Sequence, residues 1–179
     1  MNEPSIAAFD PLAILGVLNR HGVRFVVIGG IAAGLQGAMW ATTDLDIVFA
    51  RDREDLVRLA AALDELEAEP VDLPAGVRVR LDASRLNAGD VWTLMTRYGR
   101  LDLLGEPTPG LAYQSLAERS RTIHGEQTYR VASIADLIAM KRAAGRPKDL
   151  AQLDLLEATA QELAQLDDQP APDGDTDRW

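Results

Sequence analysis

The 179-residue chain has no cysteine, which excludes disulfides and cysteine-based zinc sites and suits a reducing compartment. Aromatic residues make up only 5% against 47% apolar, so a core has to be built mainly from Leu, Val, Ile and Ala. Histidine is scarce too: His21 and His124 lie in no motif and read as surface residues rather than catalytic bases. No apolar run approaches the ~20 residues of a membrane span. The opening Met-Asn-Glu-Pro-Ser carries no basic stretch. The expectation is a soluble, cytoplasmic protein without membrane contact. Positive charge is in short supply, with 18 Lys/Arg against 28 Asp/Glu and a net charge of −10. That balance argues against a general nucleic-acid-coating protein.

The charge that is present is unevenly placed. Residues 119–148 carry seven Lys/Arg against two acids, Glu126 and Asp136, whereas residues 149–179 carry nine acids against one Arg. The basic segment could face a triphosphate, an RNA end or an acidic partner, or be ordinary solvated surface.

Residues Val26 to Val48 carry the most information. An apolar run ends in Gly29-Gly30, a short stretch rich in small residues follows, and Asp44 and Asp46 then alternate with Leu45 and Ile47. In a strand, alternate side chains share a face, so both aspartates point one way while Leu45 and Ile47 point into a core. Neighbouring carboxylates repel and raise each other's pKa unless a cation neutralises them. Hard oxygen ligands suit Mg2+, which commonly takes one or two carboxylates plus substrate phosphates. The diglycine lets backbone approach a ligand closely and offers N–H groups at a helix start. A third aspartate, Asp102, lies mid-run in Arg100-Leu-Asp-Leu-Leu104 after the Tyr98-Gly99 turn. Asp82 and Asp90 also lie near expected strands, and Asp102 is preferred for its aliphatic flanks. Singly, the diglycine passes for a tight turn and the two aspartates for solvated strand residues. In this order, and each in strand context, they point to one site.

The combination resembles the nucleotidyltransferase superfamily with the DNA polymerase β-like fold. Its signature is an apolar residue, Gly-Gly or Gly-Ser, a spacer of roughly a dozen residues, Asp-x-Asp on a strand, and a later carboxylate from a neighbouring strand. Downstream, Val131 to Leu156 resembles the C-terminal signature of a branch that includes AbiEii-like toxins and related small nucleotidyltransferase-like proteins. Lys141 matches its helix lysine and Asp149 the acid that starts the next helix, with Lys148 beside it. The resemblance implies catalytic, metal-binding roles for Asp44, Asp46 and Asp102, and nucleotide contacts from Gly29, Gly30, Thr42, Thr43, Lys141 and Lys148. It implies Mg2+ as cofactor, as two ions, with Mn2+ as substitute. It also implies an NTP substrate, an acceptor hydroxyl on tRNA, protein or a small molecule, and an antitoxin-like protein partner. Where many relatives have serine, histidine and arginine, this chain has Gly30, Gln36 and Trp40. The alternative is therefore a weakly active or inactive nucleotidyltransferase-fold module acting through a protein partner.

The rest of the chain supplies an α/β (α+β) frame with a mixed sheet. Asp10-Pro11 caps a helix to about Arg20 with Leu12, Leu15 and Leu18 as its apolar stripe. Strands are expected at 24–28, 44–50, 77–81, 91–96 and 101–104, with a loop at 70–76 and a hairpin at 122–131 around Gly125. Helices are expected at 31–37, from Asp52 to about Glu67, at 111–119, from Ser133 to Ala144, and from Pro147 to Leu166. Residues 1–131 read as a nucleotidyltransferase-like core, 132–166 as a helical part packed on it, and 167–179 as a disordered acidic tail. The Gly29-Gly30 spacing lacks the G-x-G-x-x-G of a dinucleotide fold.

Overall fold

A single mixed sheet organises the computed structural model, which describes residues 8–38, 41–74 and 79–167. Its strands are β1 (Phe25–Ile28), β2 (Asp44–Phe49), β3 (Glu69–Pro70), β4 (Val91–Thr96), β5 (Gly99–Leu104), β6 (Arg121–Ile123) and β7 (Tyr129–Val131). They lie in the order β3-β4-β5-β2-β1-β7-β6. β2 runs antiparallel to β1 but parallel to β5, and β1 runs parallel to β7. β1 has neighbours on both edges and all four of its residues are buried, as a continuous apolar run requires.

The helices begin where local chemistry allows. Asp10 accepts a hydrogen bond from Ala13 N–H at 3.0 Å and starts α1 (Pro11–Arg20), with Pro11 at the first turn. The buried face of α1 is Ile14, Leu15, Val17 and Leu18, whereas Leu12, expected in the stripe, is exposed. α2 (Gly29–Leu35) starts at the diglycine itself, two residues earlier than the small-residue run suggests. Asp52 caps α3 (Arg53–Glu65), which buries Leu56, Leu59 and Leu63.

The stretch expected as a strand at 77–81 is different. Residues 77 and 78 lie outside the described residues, and Val79, Arg80 and Leu81 form no strand. Leu81 is instead a buried anchor, Arg80 pairs with Asp64 at 3.0 Å, and Asp82 caps α4 (Ala83–Ala88). Among the described residues, the alternation there comes from one packed leucine and an arginine that finds its partner locally. The strand in this region is the two-residue β3, at the edge of the expected loop, pairing with the far end of β4.

α5 (Tyr113–Arg119) leads into the β6–β7 hairpin. Ser133 caps α6 (Ile134–Ala144), and Gly145 ends it in the left-handed conformation, φ +59°, that glycine adopts without strain. α7 (Pro147–Asp167) packs on α6, and α6 lies against α2. The tail expected to be disordered falls, from residue 168, outside the described residues. No helix among the described residues is long and apolar enough to cross a membrane.

Candidate functional site

Period-two geometry in β2 and β5 builds the floor of the site. In β2, Leu45 and Ile47 are fully buried while Asp44 and Asp46 face a cleft. In β5, Gly99, Leu101 and Leu103 are buried while Arg100, Asp102 and Leu104 face the other way. The parallel register sets Asp46 beside Asp102 and Asp44 beside Arg100. The sheet thus brings the three aspartates together, with one carboxylate oxygen of each within 4.8 Å of the others. Neighbouring strands lie close enough for such cross-strand contact.

This crowding has a measurable consequence. Burial first, then the negative charges of Asp44 and Asp102, push the Asp46 carboxyl up from 3.8 to about 6, although Lys141 and Arg100 pull the other way. The site as it stands lacks enough positive charge for its carboxylates. Thr42 Oγ1 donates to Asp44 Oδ1 at 2.6 Å and fixes that side chain at the mouth of β2.

Gly29 closes one wall. Its φ is +65°, and a Cβ placed there would stand 2.7 Å from Asp46 Cγ and closer still to Oδ2. Only glycine allows the start of α2 to pack this closely against the Asp46 carboxylate, because Ile28 pairs directly with Asp46 across the sheet. The cleft, of about 370 Å³, is bounded by this turn, Thr42 and Thr43, the aspartates, and the α6–α7 junction. Gly30 lines it as well.

Lys141, from α6, also lines the cleft and influences Asp46, but its ammonium is held on the far wall. Its Nζ donates to Asp149 Oδ1 at 2.7 Å and to Gln152 Oε1 at 2.6 Å. Asp149 is completely buried, and Arg146 Nε reaches its other oxygen at 2.7 Å. Burial drives the Asp149 carboxyl up, but the bonds from Lys141 and Arg146 outweigh it and hold the group below its ordinary value. The side chain of Lys148, and Trp40, lie outside the described residues. Gln36 lines no part of the cleft; its amide donates to Ala132 O at 2.8 Å and ties α2 to the end of β7.

One participant is not among the residues expected from the sequence. Arg100 Nε and Nη2 fork onto the two oxygens of Asp102 at 3.1 and 2.9 Å, and Nε lies 3.9 Å from Asp44. Its spacing of two from Asp102 in a strand puts both on one face, so the signal is present in the sequence. The rival acids are used elsewhere: Asp82 caps α4 and Asp90 pairs with Arg51.

The carboxylate set fits a hard divalent cation. It offers oxygen ligands from three side chains, and burial together with the neighbouring negative charges raises Asp46, as a site short of a cation would.

No family model matches the chain, and no curated protein matches it in sequence. Solved structures do. The lincosamide antibiotic adenylyltransferase LnuA, in its lincomycin-bound form, matches with a TM-score of 0.56 at 12% identity, over 83% of this chain and 95% of that one. A Thermotoga maritima protein put forward as a nucleotidyltransferase matches with a TM-score of 0.47 at 16% identity, over 91% and 99%. At these identities the likeness is one of fold. The chain has the nucleotidyltransferase fold.

Proposed function

We propose that the chain is a divalent-metal-dependent nucleotidyltransferase, moving a nucleoside monophosphate from an NTP to a hydroxyl on a small, partly apolar acceptor. The observation that carries this reading is the convergence of Asp44, Asp46 and Asp102 beside the Gly29 turn. Those three residues would hold Mg2+, as two ions, with Mn2+ able to stand in. When bound, such ions supply Lewis acidity and a template at the α-phosphorus.

The chain's own groups supply the rest. Backbone at Gly29 and Gly30 allows close approach of phosphate oxygens to N–H groups at the start of α2. Thr42 and Thr43 add hydroxyls next to the carboxylates. Lys141 is the point charge for the β- and γ-phosphates, and Lys148 is given the same role from the sequence alone. Asp102 takes the proton of the acceptor hydroxyl as its oxygen bonds to the α-phosphorus in line. The bond to the bridging oxygen breaks on the opposite side, and pyrophosphate leaves.

Three features support a small acceptor over RNA. The face that carries Asp102 continues across β4, where Thr93 stands opposite Asp102, Met95 opposite Arg100 and Val91 opposite Leu104. Val91 and Met95 are 65% and 46% exposed, which makes an open, largely apolar shelf beside the site. Within the basic segment, Arg119 and Arg142 pair with Asp136 and Glu157, while Arg121 and Arg130 donate to backbone carbonyls. Two of the segment's arginines are thus offset by acids, which lessens the positive surface available to an RNA backbone. The fold neighbour LnuA, a lincosamide adenylyltransferase, points the same way. The Lys141–Asp149 ion pair joins the two residues on which the AbiEii-like resemblance rests and supports kinship with that branch.

Incubation with α-labelled NTPs, Mg2+ and separate pools of RNA, protein and small hydroxylated compounds tests the reading. Label is expected in the small-molecule pool, and none with Asp46→Asn. Transfer that persists in that variant refutes the assignment of the triad.

A further inference from the structure

Arg100 stands where the proposed cation chemistry needs its ligands free. It occupies both oxygens of Asp102 through a bidentate fork, at 3.1 and 2.9 Å, and reaches within 3.9 Å of Asp44. Forked arginine–carboxylate bonding fixes geometry as well as charge. Asp102 is only 16% exposed, so this fork uses much of what the carboxylate can offer. The guanidinium and a divalent ion therefore compete for the same oxygens, and at this range their charges also repel.

The two partners differ in freedom. Arg100 is 43% exposed and its neighbour across β4, Met95, is exposed as well, so the arginine can swing off the sheet without unpacking the core. Lys141 differs, since its ammonium is held by a fully buried Asp149 and by Gln152 on the opposite wall. Of the two cations, Arg100 is the one that can leave.

We infer that Arg100 is a built-in, displaceable counter-ion: it partly offsets the charge of the aspartate cluster in the metal-free protein and must release Asp102 for a divalent cation to bind. This rests on the metal-binding reading of the triad given above. The alternative role, an arginine that holds Asp102 in the orientation the metal needs, has the opposite sign for metal affinity.

The sign is readable with the full-length protein and Mn2+ alone, with free Mn2+ followed by electron paramagnetic resonance. Arg100→Gln removes the charge and the fork, and Arg100→Lys keeps the charge but loses the fork. Far-UV circular dichroism checks that each variant is folded. Arg100→Gln is expected to bind Mn2+ on the order of tenfold more tightly than the unaltered chain, a factor equal to about 1.4 kcal/mol. Arg100→Lys is expected to fall between the two. Without metal, Arg100→Gln is expected to melt lower than the unaltered chain, and to gain more from added Mn2+. Equal or weaker Mn2+ binding by Arg100→Gln, while the unaltered chain binds, overturns the counter-ion role and leaves the metal site standing. Absence of Mn2+ binding in both overturns the metal site and this inference with it.

Discussion

Asp46 concentrates the conflict between stability and activity in one side chain. Its carboxyl is raised from 3.8 to about 6, so the folded chain holds this proton more tightly than the unfolded chain. Stability from this group is therefore full below about pH 4 and is lost as pH rises through 6, leaving the charged form a burden at neutral pH. The gap amounts to about 3 kcal/mol at most, and the open side of the cleft screens part of it. Asp46→Asn should accordingly stabilise the metal-free protein at pH 7 by about 1–3 kcal/mol in urea denaturation, even as it removes transfer. Equal or lower stability would contradict a carboxyl raised by burial and by its neighbouring carboxylates. The same proton competes with metal, so metal affinity should fall as pH drops below 6. Two glycines of α2 make a second test. Gly29→Ala drives a Cβ into Asp46 at a positive φ and should cost about 2 kcal/mol or more. At Gly34 a Cβ would meet nothing within 4 Å, and Gly34→Ala should gain about 0.5–1 kcal/mol in thermal or urea unfolding. Similar effects from both would contradict the close approach at Gly29.

At the scale of elements, the strands that carry the site are legible in the sequence because they alternate through the site residues. Asp44-Leu-Asp-Ile and Arg100-Leu-Asp-Leu each separate a polar from a buried face, and the structure follows them residue by residue. Pairing is not legible. Nothing in either run says that β5 lies parallel to β2 with Asp102 level with Asp46, because register depends on how the intervening helices close over the sheet. Short elements escape for a related reason. β3 has two residues, too few for any periodicity, while the Val79–Leu81 stretch alternates without pairing. The α6–α7 junction is readable from Ser133, Gly145 and Pro147, whose roles as cap, stop and restart are local. Its strength is not local and rests on buried Asp149. Asp149→Leu removes the buried carboxylate that Lys141 and Arg146 share and should cost about 3 kcal/mol in chemical denaturation. Arg146 is 64% exposed, and Arg146→Ala should cost less than about 1 kcal/mol. Equal costs for the two would contradict a junction held by the buried carboxylate.

Across the whole molecule, negative charge is in excess. Of the basic segment visible in the sequence, Arg119, Lys141, Arg142 and Arg146 pair with acids, and among the described residues the cations it brings to the cleft are Lys141 and Arg146. An acidic chain with an acidic cleft has to bring a cation before it can hold a polyanion such as a triphosphate. Calorimetric titration with an NTP, with and without Mg2+, tests that dependence most directly. The account predicts NTP binding only when Mg2+ is present, and loss of that binding in Asp46→Asn and Asp102→Asn. Equal NTP binding without metal, or unchanged metal-dependent binding in those two variants, would contradict it.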